Sequence, residues 1–243
     1  MTNSRALASS FDRPRCVKLI RKSAEPAALT AWKAGLRPRN LIPDWDTFDP
    51  VARDAVRTQM QADQGQVCCY CLGTISNGAF HIEHFRPRSV FKSRTYNWRN
   101  LLASCEGHSA PFVNHVAVET QIQCGKAKDN WFVSGVTVDP QHVAVERLFR
   151  YRLDGVIAAE KSLQNQRKAT VTETILKLNL NAPSLVERRR QLLAKAAEAA
   201  ETMGRAKWRE VYLATPAGGP FQEFWSALAY NFRKHWDANF SAA

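Results

Sequence analysis

Four cysteines in the sequence are spaced so that they could hold one metal ion. Cys68 and Cys71 form a Cys-x-x-Cys pair, and Cys105 and Cys124 follow downstream. Thiolates at this spacing can turn back onto one ion, and four thiolates make the closed tetrahedral set of a structural Zn²⁺ site. His108, three residues after Cys105, competes for the fourth ligand position. A redox pair or small core residues would give the same pattern, but this segment has little apolar core, which favours zinc.

A second group of chemically active residues lies between the two halves of this thiol set. Glu83 and His84 are adjacent, and Asn100 follows sixteen residues after His84. A carboxylate is a suitable ligand for Mg²⁺ or Mn²⁺, and a neutral histidine can take a proton from water as general base. Arg86 and Arg88 could clamp phosphate oxygens. These types suit phosphodiester hydrolysis, although Glu-His pairs also arise by chance and two arginines can form a solvated face.

The order and spacing of these residues resemble the HNH endonuclease motif. Glu83-His84 matches its acidic-histidine pair, Pro87 its proline and Asn100 its central asparagine, all flanked by the zinc cysteines. The resemblance implies a ββα core around one divalent ion. In that core Glu83 is the ligand, His84 is the general base, and Asn100 fixes the hairpin loop and orients His84. Lys128 stands where the family often has a lysine, and we expect it to contact nucleic acid.

The third HNH position is where the sequence departs from the motif. Generic members place His or Asn directly after the last zinc cysteine, and Gly125 occupies that position here. The second protein ligand is therefore open, and the candidates are His108, Asn114, His115 and Asn130. Additional water molecules could also complete the coordination of the ion. The alternative is a degenerate HNH domain without activity. Asn97 is a rival for Asn100, and His81 is expected on the strand face opposite His84, packed or exposed.

Longer motifs are similar to one HNH subfamily. Cys-Cys-Tyr-Cys, Ile-Glu-His-Phe-Arg-Pro-Arg-Ser, Asn-Trp-x-Asn-Leu-Leu and Leu-Asn-Leu-Asn resemble the PtuB-like nucleases of Septu and retron-associated anti-phage defence. The match covers about residues 65–130, with weaker similarity at Trp32-Lys33 and at Leu178 to Asn181, which is the Leu-Asn-Leu-Asn motif. The resemblance implies an ABC- or SMC-type ATPase partner of the PtuA kind and, for retron-associated members, a reverse transcriptase with its nucleic acid. DNA is expected ahead of RNA as substrate, because HNH sites cut DNA most often.

Composition and charge agree with a protein that handles nucleic acid. The 243 residues include 34 Lys and Arg against 22 Asp and Glu, a formal charge of +12 that attracts polyanions. The apolar content of 45% excludes wholesale disorder. No apolar run approaches the roughly 18 residues of a membrane span, and the first 15 residues lack a signal-peptide core. We therefore expect a reducing, cytoplasmic location.

The elements that must position these residues are predicted to form a mainly helical α+β fold with a ββα-metal hairpin-helix core and a zinc knuckle. Strands are expected over 16–20 and 80–85, residues 98–105 open onto a helix or a second strand, and a hairpin is expected around Asp154-Gly155. Helices are predicted over 26–34, 50–63, 161–180, 185–203 and 221–240.

Three regions follow from this pattern. An N-terminal helical segment covers 1–64, of which 1–15 read as a mobile leader, and the nuclease core covers 65–130. A hairpin with a helical, partner-binding region covers 131–243. Two functions without catalysis fit the charge and cysteines as well: a zinc-knuckle nucleic-acid binder, and an interaction protein that docks through its aromatic C-terminal helix.

Overall fold

The computed structural model of the protein describes residues 19–36, 44–75, 78–107, 122–214 and 219–239, with side chains of the last helix through Phe232. The described chain combines helices with two small antiparallel sheets, so the predicted mixture of α and β structure is confirmed. None of the described helices is both long enough and apolar enough to cross a membrane.

The described residues include seven helices. They are α1 (Ala27–Leu36), α2 (Pro50–Gln64), α3 (Cys124–Lys128), α4 (Asn165–Lys177), α5 (Pro183–Thr202), α6 (Arg205–Leu213) and α7 (Trp225–Asn239). Asp49 caps the start of α2, because its carboxylate accepts a hydrogen bond from Ala52 N at 2.8 Å. Gly65 ends α2 with φ of 61°, a left-handed conformation that glycine adopts without a steric penalty.

Several helix boundaries differ from the prediction. Helix α1 contains Gly35, which we expected just beyond its end, and α4 begins at Asn165 rather than 161. Pro183 begins α5 instead of breaking the chain before it, since a proline in the first turn lacks only an N–H that has no helical partner. Helix α6 was not predicted.

The start of α7 differs for a tertiary reason. The chain was expected to be helical from Phe221, but the helix begins at Trp225. Phe221 N donates to Gly65 O at 2.9 Å, and Phe224 N donates to Leu72 O at 3.0 Å. These bonds hold residues 221–224 beside the loop after α2, outside helical geometry.

Two hairpins form the sheets. In the first, β1 (Phe80–His84) pairs with β2 (Leu101–Cys105), with Phe80 opposite Cys105 and His84 opposite Leu101. In the second, β3 (Phe149–Tyr151) pairs with β4 (Ile157–Ala159), which confirms the predicted hairpin around Asp154-Gly155. The first strand matches its prediction within one residue, and residues 98–100 form a 3₁₀ turn ahead of β2.

Helix α2 is fastened to the first hairpin. The buried Gln64 side chain donates to Ala103 O and accepts from Ala103 N, both at 2.8 Å, so it continues the ladder at the edge of β2. The predicted strand over 16–20 lies mostly outside the described residues, as does the expected leader. Ile20 N donates to Pro140 O at 3.0 Å rather than to a strand. One cluster of buried apolar residues draws on the N-terminal, central and C-terminal segments.

Candidate metal centre and active site

The four predicted cysteines converge. The Sγ atoms of Cys68, Cys71, Cys105 and Cys124 all lie within 4.8 Å of one another, and three of the four residues are buried. Such a set of thiols could hold one metal ion. Tetrahedral coordination with four sulfur ligands is the arrangement of a closed site with no position left for substrate.

A tight turn after α2 aims the first two sulfurs. Cys68 N donates to Gly73 O at 2.8 Å, which closes the turn, and Leu72 takes a positive φ of 62° within it. The turn directs Tyr70 N at the Cys68 sulfur, 3.5 Å away, and Gly73 N at the Cys71 sulfur, 3.3 Å away. Amide groups that point at sulfur stabilise thiolate charge, so this loop is arranged for a ligand role.

The other two sulfurs come from the end of β2 and the start of α3. Cys105 is the last residue of β2, and Cys124 opens α3 with φ of 58°. Cys124 N donates to Leu178 O at 2.8 Å, which ties this end of α3 to the segment after α4. A segment 54 residues downstream thus fixes the position of one thiol.

The four thiols cannot all ionise on their own. Burial would raise the pKa of Cys68, but hydrogen bonds within the cluster outweigh it and hold that pKa well below its usual range. Hydrogen bonding with Cys105 raises the pKa of Cys71, and burial raises that of Cys124. One thiolate therefore suppresses ionisation of its neighbours, and a divalent cation would remove that conflict.

Glu83 is a buried acid with three polar side chains around its carboxylate. It is only 6% exposed, and its Oε1 accepts from Lys128 Nζ at 2.7 Å and from the Tyr70 hydroxyl at 3.0 Å. Its Oε2 lies 3.6 Å from His81 Nε2. Burial would raise the pKa of Glu83, but His81 and Lys128 outweigh that effect and lower the pKa, so Glu83 stays ionised.

Lys128 joins α3 to the end of β1. Its side chain is 1% exposed, and Nζ donates to Glu83 Oε1 and to the His84 carbonyl at 3.0 Å. Lys128 thus fixes the position of the Glu83-His84 corner. The nucleic-acid contact predicted for Lys128 would need an exposed ammonium group, which the described conformation does not provide.

His84 lies at the end of β1 in a separate environment from Glu83. Its Nε2 is 3.0 Å from the Thr95 carbonyl, which can only accept, so Nε2 carries the proton and Nδ1 is the basic nitrogen. The Trp45 ring packs edge-on against the imidazole at 4.6 Å. Burial lowers the pKa of His84 to about 4, so the ring is neutral at pH 7.

Asn100 binds the loop that follows β1. Its Oδ1 accepts from Arg86 N at 2.8 Å, and its Nδ2 donates to Arg86 O at 3.0 Å and to Arg94 O at 3.1 Å. The residue is buried, and all three bonds hold the segment around His84. The rival Asn97 is exposed and caps the 3₁₀ turn by accepting from Arg99 N at 3.0 Å.

Comparison with known proteins agrees with this geometry. The chain is 26% identical over 141 residues to "Retron Vc95 putative HNH endonuclease" from Vibrio cholerae serotype O1 biovar El Tor. The chain resembles an HNH nuclease. The match covers 56% of this chain and about 63% of that protein's length. No protein-family model matches the chain.

The predicted HNH residues divide into two places. The described structure brings Glu83 and Lys128 together on the α3 side of the hairpin, whereas His84 and Asn100 contact the loop side. Arg86 stacks over the Phe132 ring at 5.2 Å, and exposed Arg88 lies 5.3 Å from the Trp45 ring. Because Trp45 also contacts His84, Arg88 lies on the His84 side of the hairpin, and the backbone of Arg86 belongs to the loop that Asn100 binds.

Three candidates for the missing ligand, His108, Asn114 and His115, lie outside the described residues. The fourth, Asn130, is exposed and bonds to Ser89 and Asp129. Sequence reasoning also missed two contacts of the site. The Tyr70 hydroxyl on Glu83 was hidden inside the cysteine motif, and Trp45 is 39 residues from His84, with only its position in a proline-rich loop as a signal.

Proposed function

We propose that this protein is a metal-dependent HNH-type endonuclease that hydrolyses phosphodiester bonds in nucleic acid, DNA ahead of RNA. The observation that carries the proposal is the corner at the end of β1. There a buried, ionised Glu83 and a neutral His84 are adjacent, and Asn100 secures the loop beyond them. The similarity to a protein named as an HNH endonuclease supports the same conclusion.

The four-thiol cluster is proposed to hold a structural Zn²⁺. Its sulfurs come from the loop after α2, from β2 and from α3, so one ion would tie together three separate segments. A soft, closed set of thiolates suits Zn²⁺ and leaves no position for water or substrate. The cluster would therefore stabilise the hairpin and take no part in the reaction.

The residues at the corner fit a catalytic cation. Glu83 Oε2 faces the backbone of Gly125, where even a Cβ would come within 2.6 Å of it, so only glycine allows α3 to approach this oxygen so closely. Glu83 would hold the cation, and Lys128 and Tyr70 fix the carboxylate through its other oxygen. A bound Mg²⁺ or Mn²⁺ supplies Lewis-acid stabilisation of charge on the scissile phosphate.

His84 is proposed as the general base. With Nε2–H donating to Thr95 O, its Nδ1 can take a proton from the attacking water. Trp45 restricts the ring on one face, and Asn100 holds the loop that carries Thr95 through its bond to Arg94. Arg86 and Arg88 beside this corner would bind phosphate oxygens of the substrate.

The defence role is the finer part of the proposal. It is supported by the PtuB-like motifs and by the word retron in the name of the similar protein. In that role an ABC- or SMC-type ATPase would be the partner, alone or with a reverse transcriptase and its nucleic acid. Co-expression of the full chain with the products of neighbouring genes, followed by affinity purification, tests this part separately from the nuclease chemistry.

A cleavage assay tests the nuclease proposal. Plasmid DNA, single-stranded DNA and total tRNA are incubated with the protein and Mg²⁺ or Mn²⁺, alongside His84→Ala and His142→Ala. The wild type and His142→Ala should cleave, because His142 is exposed and lies outside the corner. Cleavage by His84→Ala at the wild-type rate would place the base elsewhere.

One observation favours a binding protein without activity, namely Gly125 at the third motif position. The same assay decides between the two functions. Metal-independent binding of nucleic acid, with no cleavage by wild type in either cation, would support the inactive binder and contradict the nuclease.

A further inference from the structure

His81 was expected to be packed or exposed, and its surroundings in the structure do not match either description. It shares one strand face with Glu83, two residues away, and its side chain is 22% exposed. Its Nδ1 is buried without a hydrogen-bond partner among the described residues. A buried ring nitrogen without a partner costs free energy, so such a position needs another explanation.

The His81 ring fills the place of the missing third-position side chain. A Cβ built on Gly125 would lie 2.5 Å from His81 Nε2 and 2.6 Å from Glu83 Oε2, both below any real contact distance. Gly125 N donates to Ser104 Oγ at 3.1 Å, which holds α3 this close to the hairpin. Any side chain at 125 would therefore compete with His81 for one space beside the Glu83 carboxylate.

The separation of the two side chains suits a shared cation better than a hydrogen bond. His81 Nε2 and Glu83 Oε2 are 3.6 Å apart, and N–H···O bonds are usually about 2.7–3.2 Å. Ligand atoms lie about 2.0–2.1 Å from Mg²⁺ in octahedral geometry, so neighbouring ligands are ~2.9 Å apart and opposite ligands ~4.2 Å apart. The observed 3.6 Å lies between these values, and a movement of ~0.7 Å would bring the two atoms to the spacing of neighbouring ligands.

The second ring nitrogen of His81 is also placed as in a metal-binding histidine. His81 Nδ1 lies 3.9 Å from Glu106 Oε2. Histidines that bind metals usually direct their second ring nitrogen toward a carboxylate, carbonyl or water, which fixes the tautomer. A small approach of the half-exposed Glu106 would complete that arrangement and leave Nε2 free for the cation.

We infer that His81 is the second protein ligand of the catalytic cation and replaces, from strand β1, the ligand that other HNH sites supply from the position of Gly125. The inference rests on the proposed nuclease function and concerns the same corner. It also explains why position 125 is glycine, since His81 and a side chain at 125 exclude each other.

A nitrogen ligand has a consequence for metal preference. Imidazole suits transition-metal ions, whereas Mg²⁺ prefers oxygen ligands. The site should therefore bind Mn²⁺ or Co²⁺ more tightly than Mg²⁺, and replacement of the imidazole by an amide oxygen should narrow that difference.

Mn²⁺ binding and electron spin echo spectroscopy of the zinc-loaded full chain test the assignment without reference to activity. Wild type with Mn²⁺ should show modulation from a directly bound ¹⁴N nucleus, and His84→Ala should keep it. His81→Ala should lose the ¹⁴N modulation. Its Mn²⁺ affinity should fall by ~10–100-fold or more, because removal of a residue that only supports a metal ligand already costs that much. Absence of ¹⁴N modulation in wild type, or its persistence in His81→Ala, overturns the inference.

Two further variants test the shared space. Gly125→Ala should weaken Mn²⁺ binding and remove the ¹⁴N modulation, although alanine favours a helix, because its methyl group displaces His81 from Glu83. His81→Ala/Gly125→Asn should recover affinity relative to His81→Ala without regaining ¹⁴N modulation, since an amide oxygen then takes the vacated position. A double variant no tighter than His81→Ala, or an unaffected Gly125→Ala, contradicts the model of one space.

Failure of the His81 assignment and failure of the nuclease proposal give different results. Wild type that cleaves nucleic acid and binds Mn²⁺ without ¹⁴N modulation keeps the nuclease proposal and overturns the role of His81. Wild type that neither binds Mn²⁺ nor cleaves overturns both.

Discussion

Two candidate metal sites share the β1–β2 hairpin and α3, and they differ in almost every physical respect. The thiol cluster offers four soft candidate ligands from three segments, all within 4.8 Å of one another, and together they would fill every position of a tetrahedral ion. The corner at Glu83 has one carboxylate, one imidazole and a buried lysine that competes for the carboxylate charge. Cys124 and Gly125 are neighbours in the sequence, so a single turn of α3 serves both sites.

This contrast indicates that the thiol cluster serves folding and the corner serves the proposed reaction. A complete, buried ligand set binds its ion tightly and contributes free energy to folding. An incomplete set leaves positions for water and phosphate, which a reaction needs. The lysine on Glu83 holds the carboxylate ionised and in place, so the corner can be ordered before a cation or substrate arrives.

The largest expected effect is the loss of folding when a cysteine of the thiol cluster is replaced. Cys68→Ser should lose the ion and unfold the protein, because structural Zn²⁺ contributes about 10–16 kcal/mol in small zinc domains, comparable with a whole domain's stability. Cys69→Ser is the matched control, since the Cys69 sulfur is not part of the cluster. Zinc content and thermal unfolding measure both. A folded Cys68→Ser protein without zinc would mean that the cluster is not structural.

The next effect concerns chemistry alone. His84→Ala should lower the cleavage rate by ~10²–10⁴-fold, the usual contribution of a general base, with zinc content unchanged. Glu83→Ala should also lose activity, but higher Mg²⁺ or Mn²⁺ should partly restore it, because a ligand and not a base is removed. Cleavage rates across a metal titration compare the two. Equal residual activities with no response to metal would contradict the separate roles.

A smaller effect tests the loop beyond the corner. Asn100→Ala should destabilise the protein by about 1–3 kcal/mol, because Arg86 and Arg94 backbone groups lose their buried partner. Asn97→Ala, which removes an exposed cap, should cost about 1 kcal/mol or less. Urea unfolding measures both changes, and cleavage should fall in Asn100→Ala more than in Asn97→Ala. The reverse order would favour Asn97 as the motif residue.

The last effect is a pH dependence of stability at the shared hairpin, which leaves both candidate sites in place. Lys22 Nζ lies over the Trp98 ring and donates to Leu101 O at 2.9 Å, at the start of β2. Burial lowers the pKa of Lys22 to about 7, although Asp63 and Cys69 act in the opposite direction. Between that value and its usual pKa the unfolded chain binds the extra proton, so the contribution of Lys22 to stability rises with pH.

Comparison of wild type with Lys22→Met isolates the pH-dependent contribution of Lys22 to stability. The difference in free energy of unfolding should rise between pH 7 and 9 by at most about 1.4 kcal/mol per pH unit. A difference that stays flat or falls over that interval would show that Lys22 remains protonated in the folded protein.

The sequence predicted elements that depend on neighbouring residues. Asp49, Pro50 and Gly65 define both ends of α2, since caps and left-handed turns are local. It missed α6 and the start of α7. There, hydrogen bonds from Phe221 and Phe224 to the loop after α2 override the helical pattern, and no local signal records bonds to partners more than 150 residues away.

Within the site, residue types and spacing alone predicted the four thiols that converge and singled out the Glu83-His84 pair, because their chemistry is carried by the side chains themselves. Only the tertiary structure decided which other side chains contact these residues. Lys128 is buried against Glu83, and Gly125 brings α3 so close that His81 takes the place of the third motif residue. Contacts between a strand and a helix that starts 43 residues after His81 depend on how closely the backbones approach, and a sequence pattern does not contain that distance.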